Sequence, residues 1–423
     1  MIKHSTNWAG NYTYRAPRLH RPKTVEQIQE LIAQSSKLKA LGTRHSFNDI
    51  ADSSGELVSL EHFSRILDLD REYHTVTIEA GVRYGQLGRW LHEKGYALHN
   101  LASLPHISII GACATGTHGS GDQHANLATA VSSMEMVTAE GELIVLSREQ
   151  HTEHFHGAVV GLGGLGIVTK LTLDISPTFE MRQDVYENLP LAQMEEHLDE
   201  VLSSAYSVSL FTDWRNATFN QVWLKSHVPT ASSFNLEPTL FGATLATSHL
   251  HPIAGLSAEN CTEQMGISGP WHERLPHFRM DFTPSSGQEL QSEYLISRQS
   301  AFEAFLAIDQ LREHIAPLLQ VSEVRTIAAD ELWMSPCYQQ ACVGIHFTWK
   351  KDWHAVKEVL SMIEERLSPF NARPHWGKLF TMTPERIGSL YRKLPEFREL
   401  LRHYDPQGKF RNAYLNKYIF GEY

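Results

Sequence analysis

Apolar residues recur at helical spacing in four segments of the chain. They predict amphipathic helices over residues 24–38, 84–95, 301–315 and 353–367, the first starting at Thr24 and the second ending at Gly95. Elsewhere apolar and polar residues alternate with many β-branched side chains. This alternation predicts strands over residues 57–60, 75–82, 167–176, 207–214, 221–226, 318–328 and 341–349. Residues 131–147 predict a hairpin that turns at Glu140 and Gly141. The mixture indicates an α+β fold with a sheet half covered by helices.

The stretch from Asn100 to Gly121 breaks this patterning, because it is rich in small residues and almost free of charge. Its glycines allow the main chain to lie directly on a large ligand. Its hydroxyls and backbone N–H groups suit a phosphate or pyrophosphate. A surface loop rich in glycine is the plainer alternative. A serine hydrolase is a weak one, because His118 and Ser120 do not complete the G-x-S-x-G pattern.

Two further glycine-rich turns occur. Residues 42–46 form a turn of glycine and hydroxyl residues that also carries His45. Residues 161–166 match G-x-G-x-x-G, the dinucleotide fingerprint of Rossmann folds. That fingerprint must open a helix after a strand, whereas here an alternating strand follows it. We therefore interpret these glycines as the close start of a strand beside a ligand.

Composition limits the classes of partner. The 423 residues carry a net charge of -11, which argues against nucleic acid and anionic membrane as partners. The four cysteines lack metal or disulfide spacing, and neither an N-terminal apolar signal nor a run of eighteen apolar residues is present, so we expect a cytoplasmic protein. The 24 histidines include a cluster at 151–156, but no metal-binding motif accompanies them, and we expect no metal.

Two predicted strands place polar residues on a common face. Glu323 and Arg325 are two residues apart on one strand, and His346 and Thr348 are two apart on the next. On a solvent-exposed face this would be an ordinary ion pair. Lys378 follows a small turn at Gly377 further along.

The motifs GTRHSFN, SLPHISIIGACATGTHGSG and GLGGLGIVTKLTL, in this order, resemble the FAD domain of the vanillyl-alcohol-oxidase family, closely over the first 177 residues. The resemblance implies a two-domain flavoprotein with FAD joined covalently to His45. It also implies the FAD-contacting residues Ala40, Leu41, Gly42, Thr43, Arg44, His45, Ser46, Ser103, Ser108, Gly111, Thr115, Gly116, Thr117, His118 and Ile167.

The segment HWGK, with Glu323 and Arg325, resembles the substrate pocket of polyol and sugar-lactone oxidases of this family. The resemblance implies that Ser103, Glu323, Arg325, Thr348 and Lys378 bind substrate. We expect Arg325 and Lys378 to stabilise the oxygen that loses its proton, with Glu323 beside them and His346 as a candidate base.

These residues fit oxidation of a small polyol, and the resemblance implies O2 as second substrate. A sugar-lactone oxidase or dehydrogenase and a flavin-binding protein without turnover remain alternatives. We expect a monomer with an FAD-binding domain over residues 1–177, a substrate or cap domain over 178–390, and a C-terminal segment over 391–423 that returns to the FAD domain.

Overall fold

The computed structural model describes residues 6–228, 237–280 and 289–422. Up to residue 177 the helices are α1 (Val25–Gln34), α2 (Tyr84–Glu93), α3 (Ile109–Ala114) and α4 (Thr152–Ala158). The strands are β1 (Arg18–His20), β2 (Leu38–Ala40), β3 (Glu56–Val58), β4 (Ile66–Asp70), β5 (Thr75–Glu79), β6 (Tyr96–Ala97), β7 (Val131–Val137), β8 (Leu143–Ser147), β9 (Ile167–Asp174) and β10 (Ser176–Pro177).

These strands form a parallel sheet in the order β1-β3-β2, a five-stranded antiparallel sheet in the order β4-β5-β9-β7-β8, and a short β10-β6 pair. The predicted hairpin is confirmed as β7 and β8. Gly141 takes a positive φ of 83° at its turn, which favours glycine. The predicted strand after residues 161–166 is confirmed as β9.

The first helix is shorter than predicted. The Thr24 hydroxyl caps α1 by accepting from the Gln27 N–H, and Ile28 and Ile32 are buried, as expected for an amphipathic helix. The helix ends at Gln34, however, and Leu38 begins β2. The predicted end at residue 38 was wrong because Leu38 pairs with β3 and is buried there, so sheet pairing outweighs the apolar spacing.

Residues beyond 177 build one large sheet with helices. Its strands are β11 (Glu180–Pro190), β12 (Ser207–Thr212), β13 (Thr218–His227), β14 (Thr239–Leu240), β15 (Ala243–Leu245), β16 (Gly269–Pro270), β17 (Glu289–Ser297), β18 (Leu319–Ile327), β19 (Cys342–Lys350) and β20 (Arg373–Pro374). The order is β14-β15-β11-β13-β12-β18-β19-β17-β20, with β16 on β11. The helices are α5 (Met194–Leu202), α6 (Ala301–Asp309), α7 (Arg312–Ile315), α8 (Trp353–Leu367), α9 (Pro384–Leu390), α10 (Leu394–Tyr404) and α11 (Ala413–Leu415), followed by a π-helical turn over Asn416–Phe420.

Alternation along the central strands divides the sheet into two unlike faces. Val324 on β18 and Ile345 on β19 are fully buried in the core that also holds Phe305 of α6 and Ile363 of α8. The polar residues between them point to the opposite face. The predicted single helix over 301–315 is instead two helices, because the chain leaves helical geometry at Leu311, with φ -98° and ψ 10°.

The last residues pack against the start of the chain. The Leu38 N–H donates to the Lys409 carbonyl at 3.0 Å. The Asn412 side-chain amide donates to the carbonyls of Asp49, Ile50 and Asp52 at 3.1, 3.0 and 2.8 Å. These bonds hold the loop that follows the GTRHS turn.

Candidate active site

A continuous cavity of about 810 Å³ runs between the glycine-rich loops and the polar face of the large sheet. Its volume is in the upper part of the range for small-molecule and cofactor sites. The lining includes these predicted cofactor-binding residues: Ala40, Leu41, Gly42, Thr43, Arg44, His45, Ser46, Ser103, Ser108, Gly111, Thr115, Thr117 and His118.

Gly116 and Ile167 lie outside this lining. A Cβ on Gly116 would come within 3.1 Å of the Pro336 ring, so this glycine allows a close contact between loops. Ile167 is fully buried at the start of β9, while its neighbours Gly166 and Val168 reach the cavity wall.

Two glycine-rich loops meet in the wall. The Thr43 hydroxyl accepts from the Ser108 N–H at 3.2 Å. A Cβ on Gly42 or Gly111 would lie within 2.9 or 2.8 Å of the Ser108 hydroxyl. Glycine at both positions therefore allows the two loops to pack closely around the Ser108 hydroxyl. All three residues line the cavity, and the backbone and hydroxyl groups of this glycine-rich cradle suit the pyrophosphate of FAD.

The His45 side chain faces the cavity beside Trp8, with the two rings stacked at 5.3 Å. Both of its ring nitrogens are shielded from solvent and have no hydrogen-bond partner within the described ranges. Burial, together with the charges of His106 and Lys378, lowers the pKa of His45 to about 3. A neutral, unpartnered imidazole at this position fits attachment to FAD.

At the other end of the cavity, three neighbouring strands align their polar residues in register. Glu323 on β18 pairs with His346 on β19, which in turn pairs with Glu293 on β17. In the next row Thr348 pairs with Gln291. All five residues line the cavity, so the polar face of the sheet forms its floor.

Arg325 lies between two carboxylates. Its Nη2 is 3.0 Å from Glu293 Oε1, and its Nε is 3.5 Å from Glu323 Oε1. Its Nη1 donates to the Ser103 hydroxyl at 3.4 Å, which links the sheet to the glycine-rich loop. Burial lowers the pKa of Arg325, but the two carboxylates outweigh burial and raise it, so this guanidinium stays charged.

Glu293 joins three other groups of the site. Its Oε1 lies 3.1 Å from His118 Nε2, and its Oε2 lies 3.5 Å from His346 Nδ1. Burial raises the pKa of Glu293, but His118 and Arg325 outweigh burial and hold it well below its usual range. Glu293 is therefore an ionised carboxylate beneath the cavity floor.

Lys378 brings a second cation to the cavity. Its Nζ donates to the Gln291 side-chain oxygen and lies 5.1 Å from the centre of the Phe47 ring. Burial lowers the pKa of Lys378 to about 8, even though nearby carboxylates such as Glu293 oppose the shift. The lysine is thus mostly protonated near neutral pH.

Sequence reasoning missed Glu293 and Gln291, both of which lie on β17. The signal was the alternation of Glu289, Gln291 and Glu293, the same pattern that identified Glu323 and Arg325. The hydrolase alternative receives no support. The Ser120 hydroxyl donates to the Val208 carbonyl, while His118 faces Gly119 and Glu293.

Across residues 6–228, 237–280 and 289–422, no group of three or more potential ligands is placed to hold a metal ion. Within the same ranges, no helix is long and apolar enough to cross a membrane.

Two family sequence models match the two parts of the chain that supply most of the cavity lining. Residues 16–147 match the sequence model described as FAD binding domain, and residues 282–418 match that of D-arabinono-1,4-lactone oxidase. The chain is 47% identical to the alditol oxidase of a Streptomyces species over 419 residues, which are 98% of this chain and 99% of that protein. It is 27% identical to the L-gulono-1,4-lactone dehydrogenase of Mycobacterium tuberculosis over 431 residues, 98% of each chain.

Solved structures share the fold at low identity. Cholesterol oxidase from B. sterolicum superposes with a TM-score of 0.77 at 14% identity, over 99% of this chain and 96% of that one. Xylooligosaccharide oxidase from Myceliophthora thermophila gives 0.73 at 14% identity, over 97% and 93%. The 47% identity to the Streptomyces alditol oxidase over nearly the whole chain shows the family. This chain belongs to the vanillyl-alcohol-oxidase family of FAD-dependent oxidoreductases.

Proposed function

We propose that this protein oxidises the terminal primary alcohol of an alditol such as xylitol or sorbitol to the aldose, with O2 reduced to H2O2. One observation carries the proposal. A row of hydrogen-bonding side chains on the sheet ends beside two cations, in the same cavity as the glycine-rich cradle. An open-chain polyol presents hydroxyls in such a row. The identity to the Streptomyces alditol oxidase supports the same substrate class.

The reaction removes a hydride from carbon and a proton from the hydroxyl oxygen. FAD, held by the glycine-rich loops and His45, would supply the hydride acceptor, with O2 as the final electron acceptor. As the proton leaves, negative charge develops on the oxygen, and we assign its stabilisation to Arg325 and Lys378. We assign Ser103, Glu323 and Thr348 to the remaining hydroxyls.

We assign the role of base to His346. Its Nδ1 faces the Glu293 carboxylate at 3.5 Å, and a carboxylate only accepts hydrogen bonds, so the proton is favoured on Nδ1. Nε2 is then the nitrogen with a free lone pair, and it lies 3.2 Å from the Thr348 hydroxyl. Burial lowers the pKa of His346, which keeps the ring neutral and able to take a proton.

We propose that His45 carries FAD covalently. Formation of a carbon–nitrogen bond requires a nitrogen lone pair, and the neutral, unpartnered His45 ring supplies one. We further propose the domain limits 1–177, 178–390 and 391–423, a monomer, and a cytoplasmic location. The four buried cysteines are free thiols, which suits a reducing compartment.

A substrate screen tests the function. Peroxide formation and flavin reduction are measured with xylitol, sorbitol and an aldonolactone. Faster turnover of the alditols supports the proposal. Preference for the lactone would instead support the sugar-lactone alternative, which the match of residues 282–418 favours. A flavin that no alditol or lactone reduces would indicate a binding protein without turnover.

A further inference from the structure

A buried lysine and a histidine lie on the same face of the sheet as Glu323 and take no part in the chemistry described above. The histidine, His277, also lines the cavity. Lys225 on β13 is 1% exposed. Its Nζ donates to the carbonyls of Leu275 and Pro276 at 2.6 and 2.9 Å, and it lies 3.1 Å from His277 Nδ1. These three acceptors use all three hydrogens of an ammonium group.

The lysine and the Glu323 carboxylate together determine which nitrogen of His277 carries the proton. Burial lowers the pKa of Lys225 to about 7, although Glu323 opposes the shift. The ammonium form only donates, so Nδ1 accepts, and the carboxylate only accepts, so the single proton of a neutral ring lies on Nε2. Burial, together with the charge of Lys225, lowers the pKa of His277 to about 4, so the ring is neutral at physiological pH. His277 Nε2 lies 2.7 Å from Glu323 Oε1 and therefore donates to it.

Within the described residues, the Glu323 carboxylate has one hydrogen bond, from His277, and one ion pair, with Arg325 Nε at 3.5 Å. Both are made by its Oε1 atom. The other oxygen, Oε2, can therefore accept a hydrogen bond from a ligand in the cavity. The backbone N–H of His277 also donates to the backbone carbonyl of Ser103 at 3.2 Å. The same residue thus contacts the Glu323 side chain and the main chain of Ser103, two of the positions assigned to substrate.

We propose that His277, with its tautomer fixed by Lys225 and Glu323, is a positioning residue that orients the Glu323 carboxylate toward the polyol hydroxyls. The proposal rests on the proposed function, which places Glu323 against substrate. The other charged or titratable groups around Glu323 are Arg325 on its own strand, His346 on β19, Lys225 on β13 and Lys378. All of them remain in the variants below.

The His277 ring can be replaced without loss of its packing. It makes edge contacts with Phe211 and Trp223, at centroid distances of 5.5 and 5.4 Å. His277→Phe keeps an aromatic ring there and removes both hydrogen bonds. His277→Gln is the matched control, because its amide offers an acceptor to Lys225 and a donor to Glu323.

The first measurement is steady-state oxidation of xylitol. Loss of one charge-assisted hydrogen bond is expected to lower kcat/KM of His277→Phe about tenfold, mainly through KM. His277→Gln should stay within about threefold of the parent. In a Glu323→Gln background, His277→Phe should add no further loss, because the residue acts through Glu323. Equal losses in both backgrounds would overturn the proposal, as would equal losses for Phe and Gln.

The second measurement needs no turnover. The infrared stretching bands of the Glu323 carboxylate are identified at neutral pH by difference against Glu323→Gln, since Arg325 and His277 outweigh burial and keep its pKa well below the usual range. Loss of the hydrogen bond from His277 should shift these bands in His277→Phe, whereas His277→Gln should keep the bands of the parent. Unchanged bands in His277→Phe would refute the positioning role. If the parent oxidises no alditol, the proposed function fails, and these spectra still decide the role of His277.

Discussion

Lys378 offers the sharpest test of the assigned chemistry. Its ammonium lines the cavity and donates to the neutral side-chain amide of Gln291. The charge of Arg325, by contrast, is already balanced by Glu293 and Glu323. Lys378→Met keeps much of the side-chain length, retains an apolar contact for Phe47 and removes the charge. It therefore separates electrostatic stabilisation from packing.

The expected magnitude follows from the position of this charge. A cation about 4 Å from a developing oxyanion contributes about 4 kcal/mol at the effective dielectric constant typical of protein sites. Mutational losses of one preorganised stabiliser are about a hundredfold to a thousandfold in rate. The two figures agree, so we expect flavin reduction by xylitol to slow at least about a hundredfold.

Anaerobic stopped-flow absorbance measures this rate directly. The variant should remain folded, yellow and covalently flavinylated, because the glycine-rich cradle and His45 are unchanged. Lys350→Met is the matched control, since Lys350 is exposed at the end of β19 and lies outside the cavity lining. A reduction rate for Lys378→Met within a few-fold of the parent would refute the assigned role, and would also remove the main reason for placing substrate beside Lys378.

Four further outcomes are expected. After acid precipitation the yellow colour should stay with the protein pellet, whereas His45→Ala should release any FAD it binds; flavin in the supernatant of the parent would contradict a covalent link. Ala102→Leu, a bulky change in the cavity lining, should slow reoxidation by O2 more than reduction, and equal slowing of both half-reactions would indicate only a packing defect. Flavin reduction should rise with pH through the lowered pKa of His346, which must be neutral to accept a proton, and fall through that of Lys378, about 8, whose charge is lost. Lys378→Met should lack this alkaline fall. Arg325→Met should also slow reduction at least about a hundredfold, and the double variant should lose less than the sum of the two free-energy costs if both cations act on one oxygen.

Much of the site was predictable because side-chain direction in a strand follows directly from spacing. Glu323 and Arg325 are two residues apart, so they had to share a face once β18 was recognised. Glu293 was not predicted as a site residue because Ser292 interrupts the alternation of polar and apolar residues on β17. Ser292 is fully buried on the apolar face, where its hydroxyl accepts from the Trp349 indole at 2.9 Å. A buried polar residue whose hydrogen-bond partner is distant in sequence breaks the apolar–polar alternation. A strand that contains such a residue cannot be recognised from alternation alone.

The errors in helix length have a similar origin. Leu38 continues the helical spacing of apolar residues, but pairing with β3 removes its backbone from the helix. Leu311 also continues the pattern, although its φ and ψ interrupt the helix after α6. Apolar spacing predicts which residues are buried, and both residues are buried. It does not predict which backbone groups find partners in another element.

The arrangement of charges explains why this cavity can hold several ionisable groups together. Isolated charges in such a buried site would be costly, but Arg325 contacts both Glu293 and Glu323. Glu293 in turn faces His118 from the glycine-rich loop and His346 from β19. Glu293, which the sequence analysis did not predict, thus contacts the glycine-rich loop, the assigned base His346 and the cation Arg325. Removal of Arg325 would leave Glu293 and Glu323 buried without the cation that contacts both of them. Lys378 instead donates to the neutral Gln291 amide. Removal of Lys378, rather than of Arg325, should therefore report on the chemistry with the least disturbance to the fold.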